Sequence, residues 1–242
     1  MRINGKEWTA GDVASRIDHT VLSADATRAD IERACALARS YGFKAVFTLP
    51  YWSSLVADLL EGSGVATGIP LAFPLGAMPA EAKIAETYAV MEIIAGRPCS
   101  VDVVANVSLL KEKRYREYTE DIRGVVKAAS EQSGVVIKVI LETAMLTDEE
   151  IVAGCKCAAE AGVHYAKTST GRGGMPRLEH IGIMRRALPA EIGIKFSGFG
   201  TLNSAELAMM AFILGADLLG SPQGNVIVDK LCGVYGSLEF SA

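Results

Sequence analysis

The sequence predicts a single (β/α)8 barrel, the TIM-barrel class of α/β fold, as one domain over residues 1–242. The barrel proper is expected over about 15–235, behind a short N-terminal extension. Three observations predict it. Strand-like and helix-like patterns alternate eight times in a chain of 242 residues, the size range of such barrels. The strand-like stretches are near-continuous apolar runs, as parallel strands covered by helices should be. After the first strand stands Val21-Leu22-Ser23-Ala24, where the runner-up, a doubly wound open sheet, would usually show Gly-x-Gly-x-x-Gly.

The elements follow in order. Ile17 to Leu22 is a short apolar strand, and Asp25-Ala26-Thr27 opens a helix from about Arg28 to Ser40. Phe43 to Leu49 reads as the second strand, closed by Pro50, and Trp52 to Glu61 as its helix. Gly64 to Phe73 is the third strand, before a helix over Ala80 to Ala95. Ser100 to Asn106 is the fourth, followed by one charge-rich helix from Leu109 to Glu131. Val135 to Leu141 is β-branched and strand-like, and Thr147-Asp148-Glu149-Glu150 is a capping box opening a helix to Ala161. The last strands are Val163 to Thr168, Ile192 to Phe196 and Ala216 to Gly220. Their helices run over Leu178 to Leu188, Ser204 to Leu214 and about Asn225 to Tyr235. No low-complexity linker or shift in composition marks a second domain.

Composition narrows the function. Half the residues are hydrophobic and the formal net charge is -4, which suits a soluble chain with a large core and gives no electrostatic case for nucleic acid or an anionic membrane. No apolar run is long enough to span a bilayer, and Met1 to Lys6 leads into no signal-peptide core, so the expected location is cytoplasmic. Five cysteines do not make a disulfide framework in a chain this long, and they read as buried free thiols. His19, His164 and His180 are scattered without a metal-ligand spacing, so neither a tightly built zinc site nor a cofactor is expected, while a metal site assembled from distant residues stays open.

Charges inside apolar strands carry the chemical signal. Lys167, in Val163-His164-Tyr165-Ala166-Lys167-Thr168-Ser169-Thr170-Gly171, ends the sixth strand before a glycine-rich loop. A buried ammonium must pair or lose its proton, and a neutral lysine amine is the nucleophile that makes Schiff bases. Asp102 interrupts the fourth strand, Lys195 ends the seventh, and Asp18 adds a carboxylate from the first. Lys138 and Glu142 on the fifth are four apart, so alternation puts them on the same side of the sheet. Inward groups from neighbouring barrel strands converge, and polar residues at C-terminal strand ends form the site of such barrels. Structural ion pairs are the bland alternative; a set this dense, all on strands and all expected near their C-terminal ends, favours the functional reading. The glycines add a weaker signal. Gly171-Arg172-Gly173-Gly174, Gly198-Phe199-Gly200 and Gly220-Ser221-Pro222-Gln223-Gly224 follow strands six, seven and eight, where such barrels often hold phosphate.

From about Ile17 to Gly224 these residues resemble the deoxyribose-phosphate aldolases, class I aldolases of the (β/α)8 type. The matching pieces are Ile17-Asp18-His19-Thr20, Tyr41-Gly42-Phe43, Phe73-Pro74-Leu75-Gly76 and Val101-Asp102-Val103-Val104. They continue with Lys138-Val139-Ile140-Leu141-Glu142-Thr143, Leu146-Thr147-Asp148-Glu149-Glu150, Lys167-Thr168-Ser169-Thr170-Gly171 and Lys195-Phe196-Ser197-Gly198. The resemblance implies a metal-free lyase of carbohydrate and deoxyribonucleotide catabolism. It implies reversible cleavage of 2-deoxy-D-ribose 5-phosphate to acetaldehyde and D-glyceraldehyde 3-phosphate. Lys167 would form the Schiff base, Lys195 would depress its pKa, and Asp102 would handle protons. Asp18, Thr20, Lys138, Glu142, Thr168 and Thr170 would support them. Gly171, Arg172, Ser197, Gly198, Gly200, Gly220 and Ser221 would bind phosphate and substrate. The implied partner is a small aldehyde or sugar phosphate, with a homodimer or higher homo-oligomer possible.

Departures cluster around the expected phosphate site. Ser197-Gly198-Phe199-Gly200-Thr201 is one residue shorter than the family's usual stretch and lacks its arginine, and Phe199 is expected to fill space near the anion. Pro222 removes a backbone donor. Phe47 and Leu49 stand where the family has Cys and Asn, and Ser100 where it has Glu. Arg172 is the residue that would compensate. Three alternatives follow: the same aldol chemistry on a different or unphosphorylated acceptor, another Schiff-base reaction such as a dehydratase or transaldolase-like transfer, and a catalytically silent sugar-phosphate-binding barrel.

Overall fold

The computed structural model describes residues 1–199, 204–234 and 239–240. Its centre is a closed barrel of eight parallel strands. In chain order they are β1 (Ile17–Val21), β2 (Ala45–Thr48), β3 (Ala66–Leu71), β4 (Cys99–Val104), β5 (Val136–Ile140), β6 (Tyr165–Lys167), β7 (Gly193–Ser197) and β8 (Leu218–Ser221). Around them lie helices α1 (Ala10–Ala14), α2 (Arg28–Tyr41), α3 (Ser53–Leu60), α4 (Ala80–Ile94), α5 (Val107–Lys111), α6 (Tyr115–Ser130), α7 (Asp148–Ala161), α8 (Glu179–Ala187), α9 (Ala205–Ile213) and α10 (Gly224–Val234). The barrel class expected from the sequence is the one observed.

The helix starts follow local chemistry. Thr27 caps α2 and Thr147 caps α7, each in a reciprocal box with the acid three residues on, Asp30 and Glu150. Gly42 and Gly162 end these two helices in the left-handed conformation. The charge-rich segment after β4 is two helices, not the one helix expected over Leu109 to Glu131. Lys113 takes a positive φ of 57° between α5 and α6 and turns the chain. Ahead of the barrel, Arg2–Ile3 pairs antiparallel with Lys6–Glu7 and parallel with Glu239–Phe240, so the two ends of the chain meet in one small sheet.

Strand register positions the site. Asp18 pairs with Ala45, Phe47 with Gly68, Pro70 with Asp102, Asp102 with Lys138 and Lys138 with Tyr165. Lys167 then pairs with Lys195, and Ser197 with Gly220, which returns to Asp18. Side chains two residues apart on a strand share a face, so this path visits one face throughout. It climbs two residues on each of β2, β3, β6 and β7 before closing, a stagger of eight around eight strands. That is the shear of this barrel class. The barrel geometry itself therefore gathers Asp18, Phe47, Asp102, Lys138, Lys167 and Lys195 on the same inner surface. The other face of the strands joins the helices in an apolar core that includes Val46, Ile69, Val101, Val103, Ile137 and Ile194.

Candidate active site

Five ionisable side chains meet inside the barrel. Lys167 Nζ donates to Asp102 Oδ2 at 2.8 Å, and Lys195 Nζ donates to the same oxygen at 2.7 Å. Lys195 also reaches Asp18 Oδ2 at 2.6 Å. Lys138 Nζ lies 3.1 Å from that Asp18 oxygen and 3.5 Å from Asp102 Oδ1. Lys167 is 3 % exposed, and the other four are fully buried.

Charge counting singles out one amine. Three amines face two carboxylates, and a third ammonium would sit in the barrel without a counter-charge. Lys138 and Lys195 each touch both carboxylates, whereas Lys167 touches one. Burial therefore lowers the pKa of Lys167 from the usual lysine range; Asp102 opposes the shift, and Lys195 adds to it. For Asp102, burial alone would raise the carboxyl, but Lys167, Lys195 and Lys138 outweigh it and hold it well below the usual carboxylate range. The result is an anion beside an amine that gives up its proton more readily than an ordinary lysine, and the neutral amine is the form that attacks a carbonyl.

Lys167 opens at the mouth of a cavity of about 1110 Å³, which also takes in Thr20, Thr170, Gly171, Arg172, Ser197, Gly198 and Gly220. The cavity runs on past the β1 loop and along α2 from Asp30 to Ser40.

Relatives match this sequence over nearly their full length. A deoxyribose-phosphate aldolase of Shouchella clausii is 41% identical, over 94% of this chain and 99% of its own. One from Methanothermobacter thermautotrophicus is 40% identical over 91% and 96%, and one from Brevibacillus brevis 40% over 88% and 93%. The deoxyribose phosphate aldolase of Aeropyrum pernix, whose structure is described as a unique tetramer, superimposes with a TM-score of 0.82. It is 31% identical and covers 93% of each chain. No family model matches the sequence. The chain belongs to the deoxyribose-phosphate aldolase family. It is accordingly a lyase of the aldolase type.

Around the five central groups, the structure distributes the residues expected of this aldolase unequally. Lys138 donates to Ser100, the serine standing where the family has Glu. Glu142 does not continue the inward face of β5. That strand ends at Ile140, and Glu142 takes a left-handed φ of 59°. Its carboxylate instead accepts the hydroxyls of Ser169 and Thr170 and, at 3.3 Å, the Thr170 N–H, so it secures the loop after Lys167. Asp18 also departs from expectation, lying at the start of β1 and not near its C-terminal end. Thr168 joins two strands: its hydroxyl donates to Ser197 O at 2.9 Å and accepts the Ser197 N–H at 3.0 Å.

At the mouth, the loops after β6 and β7 touch through backbone. A Cβ on Gly198, whose φ is 89°, would lie 2.7 Å from the Gly171 nitrogen. Arg172 donates to Leu22 O at 3.3 Å across the rim. Ser221 does not line the cavity; it is fully buried, and its hydroxyl accepts the Gln223 N–H at 3.0 Å. Phe199 is itself part of the cavity lining, on the side where the sequence expects it to take up space. It is 2 % exposed and stacks on Phe196 with centroids 5.3 Å apart. Gly200 lies outside the described residues.

Sequence reasoning treated Phe47 only as a departure from the family. The structure puts its ring among the amines, with Nζ of Lys195, Lys138 and Lys167 at 3.9, 4.9 and 6.0 Å from its centroid. All five cysteines are free; four are buried as expected, and Cys232 is only partly buried. Among the described residues no helix is long and apolar enough to cross a membrane.

Proposed function

We propose that the chain cleaves 2-deoxy-D-ribose 5-phosphate reversibly to acetaldehyde and D-glyceraldehyde 3-phosphate, with Lys167 as the Schiff-base lysine. The observation that carries this reading is the contact of Lys167 Nζ with the Asp102 oxygen that Lys195 also holds. The neutral amine of Lys167 adds to the substrate aldehyde, and loss of water gives an iminium. Electrons of the C2–C3 bond flow into the iminium as the C3 hydroxyl loses its proton. Glyceraldehyde 3-phosphate leaves, and an enamine of acetaldehyde remains on Lys167. Protonation of its carbon and hydrolysis release acetaldehyde and restore the amine. Asp102 moves the protons, and Lys195 and Lys138 keep it ionised between transfers.

The acceptor half of the substrate lies along the cavity. Gly171, Gly198 and Gly220 allow close backbone approach, and Arg172, beside the glycines, is a cation suited to a phosphate. We further take the protein as a cytoplasmic enzyme, one domain throughout, that assembles into a homo-oligomer. Family membership and the tetramer described for the Aeropyrum pernix relative support this.

Borohydride trapping tests the reading. The protein is incubated with acetaldehyde or 2-deoxyribose 5-phosphate, reduced and digested. A two-carbon adduct on Lys167 is the expected mass. Absence of any adduct with either compound would leave a silent binding barrel as the better account.

A further inference from the structure

We propose that Phe47 is a positioning residue: its ring holds positive charge on Lys195 and so leaves Lys167 as the free amine. The inference rests on Lys167 being the Schiff-base lysine. The two lysines compete for one Asp102 oxygen at nearly equal distance, 2.8 Å for Lys167 and 2.7 Å for Lys195. That contact alone barely separates them. The ring does separate them. An aromatic face attracts a cation within about 6 Å of its centroid, and more strongly when the pair is dry. Lys195 sits at 3.9 Å and Lys167 at 6.0 Å, the edge of the range. Lys138, at 4.9 Å, also falls on the favoured side.

The surrounding strands are built for this ring. Gly68, the register partner of Phe47 on β3, would place a Cβ 2.3 Å from the ring's Cδ2. Only hydrogen at that position leaves room for the ring where it stands, beside β3 and close to the amines. β3 and β8 contribute glycines here, Gly68 and Gly220, and no charge. The charged and titratable groups facing the ring and amines are Asp18 from β1, Asp102 from β4, Lys138 from β5, Lys167 and Tyr165 from β6, and Lys195 from β7. Tyr165 lies 5.9 Å from Lys138 Nζ and is a neutral ring at working pH. Asp18 touches Lys195 and Lys138, so it adds to the same bias.

The test keeps the shape of the ring and weakens its electrostatics. 3,4,5-Trifluorophenylalanine is introduced at position 47, alongside Phe47→Leu as the cruder variant. The rate of borohydride trapping of acetaldehyde on Lys167 is then followed from pH 5 to pH 10. Loss of the ring's attraction, worth roughly threefold to thirtyfold in an equilibrium, should lower trapping at neutral pH by that factor. The midpoint of the rise with pH should move upward, and the rates should converge with those of the native protein at the alkaline end. The fluorinated protein should fall between the native protein and Phe47→Leu. A profile of unchanged midpoint in the fluorinated protein, or a uniform drop at every pH, would overturn the proposal and leave Phe47 a packing residue. Absence of a Lys167 adduct in the native protein would instead overturn the Schiff-base reading on which the inference stands.

Discussion

Lys167 and Lys195 meet through one oxygen of Asp102, at 2.8 and 2.7 Å. The shared oxygen makes the two amines rivals for a single negative charge. If Lys195 becomes Met, Lys167 has that oxygen to itself and loses the cation that helps to depress its pKa. Its ammonium form is then favoured. Turnover at neutral pH should drop on the order of a hundredfold or more and recover in part as pH is raised. Lys195→Arg, which keeps the charge, should lose less. A Lys195→Met enzyme with the native pH profile would show that the cation plays no part in freeing Lys167.

Asp102→Asn removes charge without changing shape. The amide cannot balance the surrounding ammoniums, and only Asp18 remains as an anion among them. Rate should fall by at least about a hundredfold, the usual cost of losing an acid–base group. Stability should fall too, by about 3–5 kcal/mol, because uncompensated charge is left in the barrel. Steady-state kinetics and urea unfolding on the same preparation measure both. A stable, inactive protein would separate the proton-transfer role from the structural one; a stable, active protein would refute both.

Arg172 bears on the substrate. It reaches Leu22 O across the rim and lines the cavity. Replacing it with Met should raise KM for 2-deoxyribose 5-phosphate about tenfold, a typical loss for one charged hydrogen bond. The rate with unphosphorylated 2-deoxyribose should hardly change. Equal effects on the two sugars would mean that Arg172 does not recognise phosphate.

The site was legible in the sequence where charge interrupts an apolar strand. Lys167, Asp102 and Lys195 stood out because a charge in a buried strand must pair or lose its proton. Glu142 misled because alternation assumes that the strand continues; it ends at Ile140, and no sequence signal marks the left-handed turn at Glu142. Phe47 was illegible as a site residue because an aromatic in an apolar strand looks like core. Its meaning comes from register with Gly68, which depends on how β2 and β3 pair. The helix break at Lys113 was hidden for a similar reason, since a surface lysine is at home in a charged helix.

His19 lines the same cavity but stands outside the cluster of five central charges, and it offers a test of stability. It follows Asp18 on β1, is 5 % exposed and stacks on Phe43 with centroids 5.4 Å apart. Burial lowers its pKa from 6.5 to about 4. The folded state therefore keeps the imidazole neutral where the unfolded chain binds a proton. Its contribution is complete above pH 6.5 and is lost progressively as pH falls towards 4, by about 3 kcal/mol in all at 1.36 kcal/mol per unit. In His19→Phe the ring stack can persist without a proton to bind. Urea unfolding at intervals from pH 7 to pH 4 should show the native protein losing about 3 kcal/mol more than the variant over that window. Parallel stability curves would mean that His19 titrates alike in the folded and unfolded chains, and that the β1–Phe43 interface admits its charge.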